Sequence, residues 1–247
     1  MVRRQLPRVR RIHAQDRWDG LAPASHPLPT AHARVTSGRT LLARGEDADV
    51  FAIDDTRVLR RYRRRAVPER EVAIMRYVRE RGYAAPRVID VSGHDLTLER
   101  IDGPTMLADL RRRPWRFRTH ALTLARMHRE LHAIPPPDFL GSEGAAILHL
   151  DLHPANVMLP RQGPVVIDWA NAARGDAPFD VALTAVVLAG APVGPPLSWL
   201  RDWFVRAFVG EFAPAEWRVG VDRAVAYRRA DGNVSDKERD RLTKLHL

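Results

Sequence analysis

His149-Leu150-Asp151-Leu152-His153-Pro154-Ala155-Asn156, followed by Val165-Val166-Ile167-Asp168-Trp169, is the stretch on which the reading of this chain turns. Two carboxylates and one carboxamide stand at fixed spacing around two short apolar runs. Asp151 and Asn156 lie five positions apart, and Asp168 follows twelve further on. Phosphoryl transfer needs such a set: one carboxylate receives a hydroxyl proton, while an amide and a second carboxylate hold Mg²⁺ against phosphates. Asp151 is the candidate base, because positioning matters more than strong basicity in this chemistry. Asn156 and Asp168 offer the hard oxygen ligands that Mg²⁺ prefers. The plain alternative is two strand-end aspartates and a turn-forming asparagine. Three such residues at this spacing favour a site.

A rival reading rests on His149, Asp151 and His153. They alternate, so an extended strand would turn all three to one face, where they could bind Zn²⁺. That reading gives Asn156 and Asp168 no role, and Pro154 turns the chain at once. His149 is instead expected to brace the loop from the core.

Working outward, residues 1–34 carry five arginines between Arg3 and Arg11, then Pro23, Pro27 and Pro29. They lack apolar periodicity and read as a disordered basic arm. Residues 40–43, 49–53 and 56–62 read as strands, separated by the turns Gly45-Glu46-Asp47-Ala48 and Asp54-Asp55. Pro68 to Arg81 reads as an amphipathic helix with Val72, Ile74, Met75 and Val78 on its apolar side. Residues 87–91 and 96–101 read as two more strands around Ser92-Gly93. After Gly103-Pro104, Thr105 is a good N-cap for a short helix over 106–110. Arg118 to Ala133 is a longer helix with Leu122, Ala125, Met127 and Leu131 as core candidates. Helices are expected at 179–189, 197–213 and 215–230. Ser235-x-x-Glu238 suggests a capping box opening a last one. The pattern is α+β in two lobes. Residues 35–102 make a small sheet lobe with one helix, and residues 103–247 a larger, mainly helical lobe. A ligand is expected in the crevice between them.

The chain has 247 residues, 45% of them hydrophobic and 28% charged, as in a globular protein. No apolar run reaches the roughly 18 residues that span a bilayer, and the basic N-terminus lacks the apolar segment of a secretory signal. Cysteine is absent. That excludes disulfides and thiolate metal sites and fits a cytoplasmic location. The net charge is +10, and Lys237 and Lys244 are the only lysines. The arginine excess reads as a compositional bias rather than a nucleic-acid footprint. Residues 1–169 carry 29 basic against 20 acidic side chains, whereas the remainder is nearly balanced with 11 and 10.

The chain resembles the aminoglycoside phosphotransferase and choline kinase-like family, small-molecule kinases with a protein-kinase-like fold. The resemblance runs from about residue 38 to 212. It rests on the two motifs above, on Phe179-Asp180-Val181-Ala182, on Leu98-Glu99-Arg100-Ile101-Asp102-Gly103 as a hinge, and on Leu124 to His132 as the helix before the catalytic loop. It implies that Asp180 props the site and that Gly45 to Asp49 covers the nucleotide phosphates. It implies that Arg60 replaces the usual strand lysine on the α- and β-phosphates, paired with Glu71, and that Glu99 to Ile101 meet adenine through their backbone. ATP and Mg²⁺ are the implied cofactors.

Arginine keeps the charge at position 60, but its fork is longer and planar. Strand alternation puts Val58 and Arg60 on one face and Arg61 on the other. The alternative is that the arginine run 60–65 is a solvated face. The phosphate turn has one glycine where protein kinases have three. Only eleven residues separate Asp168 from Asp180, and His153 stands where protein kinases usually place a lysine. Both features argue for a small-molecule hydroxyl acceptor rather than a protein. Trp199, Trp203, Phe204, Phe208 and Trp217 could line its pocket, although core packing suits most of them better. A second reading is a nucleotide-binding pseudokinase with a regulatory or scaffolding role, and a third is a nucleic-acid binder using the basic arm.

Overall fold

The computed structural model describes residues 39–45, 47–191, 193–194, 197–231 and 234–244. The expected basic arm lies outside the described residues, as does Glu46 of the turn expected to cover the phosphates.

Five strands form one antiparallel sheet: β1 (Thr40–Arg44), β2 (Ala48–Ala52), β3 (Arg57–Tyr62), β4 (Val88–Ser92) and β5 (Asp95–Glu99). Their spatial order is β1-β2-β3-β5-β4, so β3 is central. β4 and β5 form a hairpin that turns at Gly93, whose φ of 56° is the left-handed conformation glycine permits. Helix α1 (Glu69–Glu80) follows β3. Its apolar side chains Val72, Ile74, Met75 and Val78 are all buried, with Tyr62, Leu96 and Leu98 in the same core.

The helical part begins after Gly103. At a φ of 148° and with the Leu159 carbonyl oxygen 2.6 Å from where a Cβ would stand, this position admits only glycine. Thr105 caps α2 (Met106–Arg112) by accepting the Ala108 N–H at 3.1 Å. Helix α3 (Phe117–His132) buries Leu124, Ala125, Met127 and Leu131. Leu122, expected in that core, is exposed. The 3.6-residue period puts Leu124 and Leu131 on the inner stripe and turns Leu122 outward.

Short antiparallel pairs follow. β6 (Ala146–Leu148) pairs with β9 (Ala173–Gly175), and β7 (Val157–Met158) pairs with β8 (Val165–Val166). Helix α4 (Ala177–Gly190) is buried on nearly every side, as its sequence demands. Around it lie α5 (Leu197–Val209), α6 (Pro214–Trp217), α7 (Val221–Ala230) and α8 (Asp236–Thr243). The single helix expected over 215–230 is interrupted by a 3₁₀ turn at Arg218–Gly220. Gly220 lies there against the Pro178 carbonyl and leaves no room for a side chain. The capping box of α8 is half made. Ser235 Oγ accepts the Glu238 N–H at 3.2 Å, but the Glu238 carboxylate instead pairs with Arg228 Nε at 2.8 Å.

One apolar core runs from Ala48 in the sheet to Trp217 among the helices. The segment after α1 ties the two halves together. Tyr83 donates to the Met127 carbonyl at 3.1 Å and meets the Trp169 ring edge-on at 5.7 Å. The Ala84 carbonyl accepts the Val166 N–H at 2.9 Å.

Candidate active site

The loop from His149 to Asn156 leaves the buried strand β6 and reverses through Leu150, whose φ is 63°. That residue breaks the extended run a His149-Asp151-His153 metal site would need. His149 is fully buried against Trp169, with ring centroids 4.8 Å apart. Among the described residues its ring nitrogens have no hydrogen-bond partner, and it supports the loop by packing. Burial lowers its affinity for a proton.

Asp180, in the first turn of α4, holds the loop backbone. Its Oδ1 accepts the Leu150 N–H at 2.8 Å and its Oδ2 the His149 N–H at 3.2 Å. His132, at the end of α3, contacts Oδ2 at 2.9 Å. Burial by itself would raise the Asp180 pKa, but the surrounding bonds and charges, His132 foremost and the Leu150 N–H among them, bring the value down to about 2. A second support lies one turn deeper. Thr184 Oγ1 donates to the Leu152 carbonyl at 3.0 Å and contacts His128 Nε2 at 3.0 Å.

Asp151 is oriented at both carboxylate oxygens. Asn156 Nδ2 donates to Oδ2 and to the Asp151 backbone carbonyl, each at 2.9 Å. Both partners are pure acceptors, so the amide nitrogen must face them. The Asn156 carbonyl oxygen is thereby turned away, where a cation could use it. His153 Nδ1 accepts the Ala155 N–H at 3.2 Å, which leaves the ring proton on Nε2, facing Asp151 Oδ1 at 3.2 Å.

Asp168 reaches the same place from the hairpin. The Ile167 N–H donates to the Asn156 backbone carbonyl at 2.9 Å, extending the β7–β8 ladder to its end. Asp168 then adopts a φ of 67°, unusual for a residue other than glycine. Across the cleft, Arg60 on β3 joins two acids. Its Nη1 donates to Glu71 Oε1 at 2.7 Å and its Nη2 to Asp168 Oδ1 at 3.0 Å. The Arg60 side chain is 17% exposed, whereas that of Arg61 is 48% exposed and pairs with Asp95 at 2.6 Å on the other face. The arginine run therefore divides by strand alternation. Arg63 and Arg65 pair with Asp49 and Asp47 at the turn between β1 and β2. Burial raises the Glu71 pKa, with the Arg60 charge acting against it. Tyr62, two residues along β3 from Arg60, donates its hydroxyl to Glu71 Oε2.

Glu99 and Ile101 lie at and beyond the end of β5. The Arg100 N–H between them is taken by the Thr56 carbonyl at 2.8 Å. No described hydrogen bond uses the Ile101 N–H. The Glu99 side chain turns to the Arg87 N–H at 3.1 Å.

Three supports escape a reading by motif alone. Tyr62 shares the Val58-Arg60 face, so the alternation that singled out Arg60 also pointed to it. His128 and His132 carry the spacing of one helix turn in α3, but only the packing of α3 on α4 gives them Thr184 and Asp180 as partners. No group of three acids or histidines converges as a metal site among the described residues. Asn156 Oδ1 and the Asp168 carboxylate are the hard oxygens that could hold a Mg²⁺ ion.

A five-stranded antiparallel sheet with one inserted helix, set against a helical part bearing these residues, is the α+β protein-kinase-like fold. The sequence model of the phosphotransferase enzyme family matches residues 38–146 and 129–219, and the chain belongs to that family. It is a phosphotransferase of the kind that uses an alcohol group as acceptor. No curated protein matches it in sequence. A choline/ethanolamine kinase family protein from Mesorhizobium loti has a similar structure at 17% identity, with a TM-score of 0.56 and coverage of 93% of this chain and 92% of that one. A thermostable mutant of the aminoglycoside phosphotransferase APH(4)-Ia, in ternary complex with ADP and hygromycin B, gives 16%, 0.61, 84% and 92%. Plasmodium vivax ethanolamine kinase gives 11%, 0.59, 83% and 80%. No helix of the described residues is long and apolar enough to cross a membrane.

Proposed function

We propose that the chain is an ATP- and Mg²⁺-dependent kinase that phosphorylates a hydroxyl of a small molecule, working in the cytoplasm. The observation that carries this reading is the convergence of Asp151, Asn156 and Asp168 from one loop and one hairpin, with Arg60 facing them from the sheet. The aminoglycoside phosphotransferase whose structure is similar was solved with ADP and hygromycin B bound, which supports a nucleotide and a small acceptor here.

Asn156 and Asp168 are the residues that would hold Mg²⁺, whose chemistry is to neutralise charge on the β- and γ-phosphates. Arg60 offers a guanidinium to the α- and β-phosphates and is held in place by Glu71. The backbone of Glu99 and Ile101 meets adenine. Asp151 orients the acceptor hydroxyl and accepts its proton as the new O–P bond forms. The bond from the γ-phosphorus to the β-phosphate oxygen breaks, and ADP departs. His153 and Asn156 fix the Asp151 carboxylate, while Asp180 and His149 fix the loop that carries it.

The test pairs two variants. Asp151→Asn is expected to lower kcat roughly 10²–10⁴-fold with nucleotide binding intact. Asp168→Ala should abolish the Mg²⁺-dependence of ATP binding in calorimetry. Undiminished turnover by both variants sinks the assignment. The pseudokinase reading has one observation in its favour, the direct hold of Arg60 on Asp168. It predicts nucleotide binding indifferent to Mg²⁺ and no turnover with any acceptor.

A further inference from the structure

Among the described residues, Trp169 and Trp217 are buried, but Trp115, Trp199 and Trp203 are 73%, 54% and 56% exposed. Phe204, Phe208 and Trp217 pack in the core. The exposed indoles lie on neighbouring elements. Trp199 and Trp203 stand one helical turn apart on α5. Trp203 meets the ring of Phe117, the first residue of α3, edge-on at 5.9 Å. Trp115 lies two positions before Phe117, in the 3₁₀ turn that Pro114 opens between α2 and α3. The end of α2 adjoins α5 as well, since Arg111 shares the wall of a small cleft with Leu200, Arg201 and Phe204.

The charge around these rings is in surplus on one side. Arg111-Arg112-Arg113-Pro114-Trp115-Arg116-Phe117-Arg118 interleaves guanidinium and aromatic groups, and the sequence holds no acid from Leu110 to Arg129. Asp109 is buried under Arg113 and Arg116 at 3.3 and 3.2 Å. Asp202 is matched by Arg201 at 2.7 Å, and Glu130 by Arg126 at 3.6 Å. Arg111, Arg112, Arg118 and, three positions after Trp203, Arg206 are exposed and pair with no acid among the described residues. Four positive charges therefore remain over around three exposed indoles. Leu122, one helical turn after Arg118, adds an aliphatic side chain that is 38% exposed.

We propose that this face docks the chain on the surface of an anionic lipid bilayer, with the exposed indoles at headgroup level and the surplus arginines on the lipid phosphates. An indole suits that depth, because its ring is apolar while its N–H stays wet. Guanidinium groups in the same plane are drawn to anionic headgroups. No helix of the described residues can cross a membrane, so the chain lies on the surface. A single-stranded nucleic acid is the lesser fit. Its readers line a groove with aromatic rings, whereas these rings stand on outward helix faces beside Leu122, which offers a base nothing to stack on. The docking goes beyond the kinase reading and stands or falls apart from it.

The full chain is mixed with vesicles of phosphatidylglycerol or of phosphatidylcholine, and the bound fraction is read by sedimentation. Binding to the anionic vesicles alone is expected, and it should weaken as salt screens the arginines. Arg111→Gln and Arg112→Gln are each expected to weaken it about fivefold. Trp199→Ser and Trp203→Ser together are expected to weaken it roughly tenfold or more, through the apolar area removed. The basic residues near the N-terminus are present in every variant, so these losses report the face itself. Phosphatidylglycerol brominated on its acyl chains should quench tryptophan emission in the parent and less in the double tryptophan variant. The circular dichroism spectra of the variants are expected to match the parent's. Failure to bind phosphatidylglycerol, equal binding to phosphatidylcholine, undiminished binding by the variants, or emission indifferent to bromine overturns the proposal. Tighter binding of a single-stranded RNA, or a dimer of the full chain that the tryptophan substitutions dissociate, gives the face to another occupant and overturns it equally.

Discussion

Arg60 is where the chain departs most from what its motifs imply. A lysine ammonium is a compact point charge, whereas the arginine fork presents parallel N–H groups. Here the fork grips Glu71 and Asp168 at once, at 2.7 and 3.0 Å. Glu71 is 2% exposed, so removing Arg60 leaves a buried carboxylate facing the Tyr62 hydroxyl. Arg60→Met is therefore expected to destabilise the protein by about 3–5 kcal/mol in urea unfolding. Arg60→Lys, which keeps a charge but cannot bridge both acids in the same fork, is expected to lose less. A parent-like unfolding midpoint for Arg60→Met would show that the pair contributes little. The position of Arg60 was legible from strand alternation, because period two sorts inward from outward side chains. Its second partner was not, since Asp168 is 108 positions away.

At the scale of elements, the helices were readable where one face is apolar and obscure where packing decides. Helices α1 and α3 fall within a residue of their expected bounds. The break between α6 and α7 was not foreseen, because its cause is the Pro178 carbonyl on a distant element. Strand β5 ends at Glu99 rather than Ile101, since the chain must turn toward Gly103. That glycine is the joint between sheet and helices. Gly103→Ala would place a methyl 2.6 Å from the Leu159 oxygen at a φ that side chains rarely adopt. The expected cost is roughly 1–3 kcal/mol or more. It is read as a lowered melting temperature, together with weaker ATP binding if the joint aligns the hinge. A neutral substitution would mean that the backbone there relaxes freely.

Across the whole molecule, buried ionisable groups under the loop that carries Asp151 set the response to acid. His128 is fully buried, and burial brings its pKa down to about 4, against 6.5 when free. Between those values the unfolded chain binds the proton and the folded one does not. Stability must therefore fall as pH drops from 6.5 to 4, by about 3 kcal/mol from this residue. Asp180 acts in the same direction at lower pH. Its folded value of about 2 lies below the free value of 3.8, so its contribution is complete above about pH 4 and is lost as pH falls toward 2. Urea unfolding across this range is expected to show a steady decline, and His128→Asn should flatten only the portion above pH 4. An identical pH slope in that variant would remove His128 from the account.

The sequence by itself determined the class of fold and the cast of the candidate site. Periods of two and 3.6 separate the sheet half from the helical half, and local motifs place Asp151, Asn156 and Asp168 on adjoining elements whatever else the chain does. Tertiary structure alone decided what those residues touch. It turned Asn156 and His153 onto Asp151, set Arg60 across the cleft on Asp168, and packed His132 and Thr184 beneath the loop. It also sent Trp217 and Phe208 inward while leaving Trp199 and Trp203 at the surface. The physical reason is range. Propensity and periodicity act over a few neighbouring residues, but hydrogen-bond partners, burial and the charge lining a cleft depend on segments a hundred positions apart that meet only when the core closes.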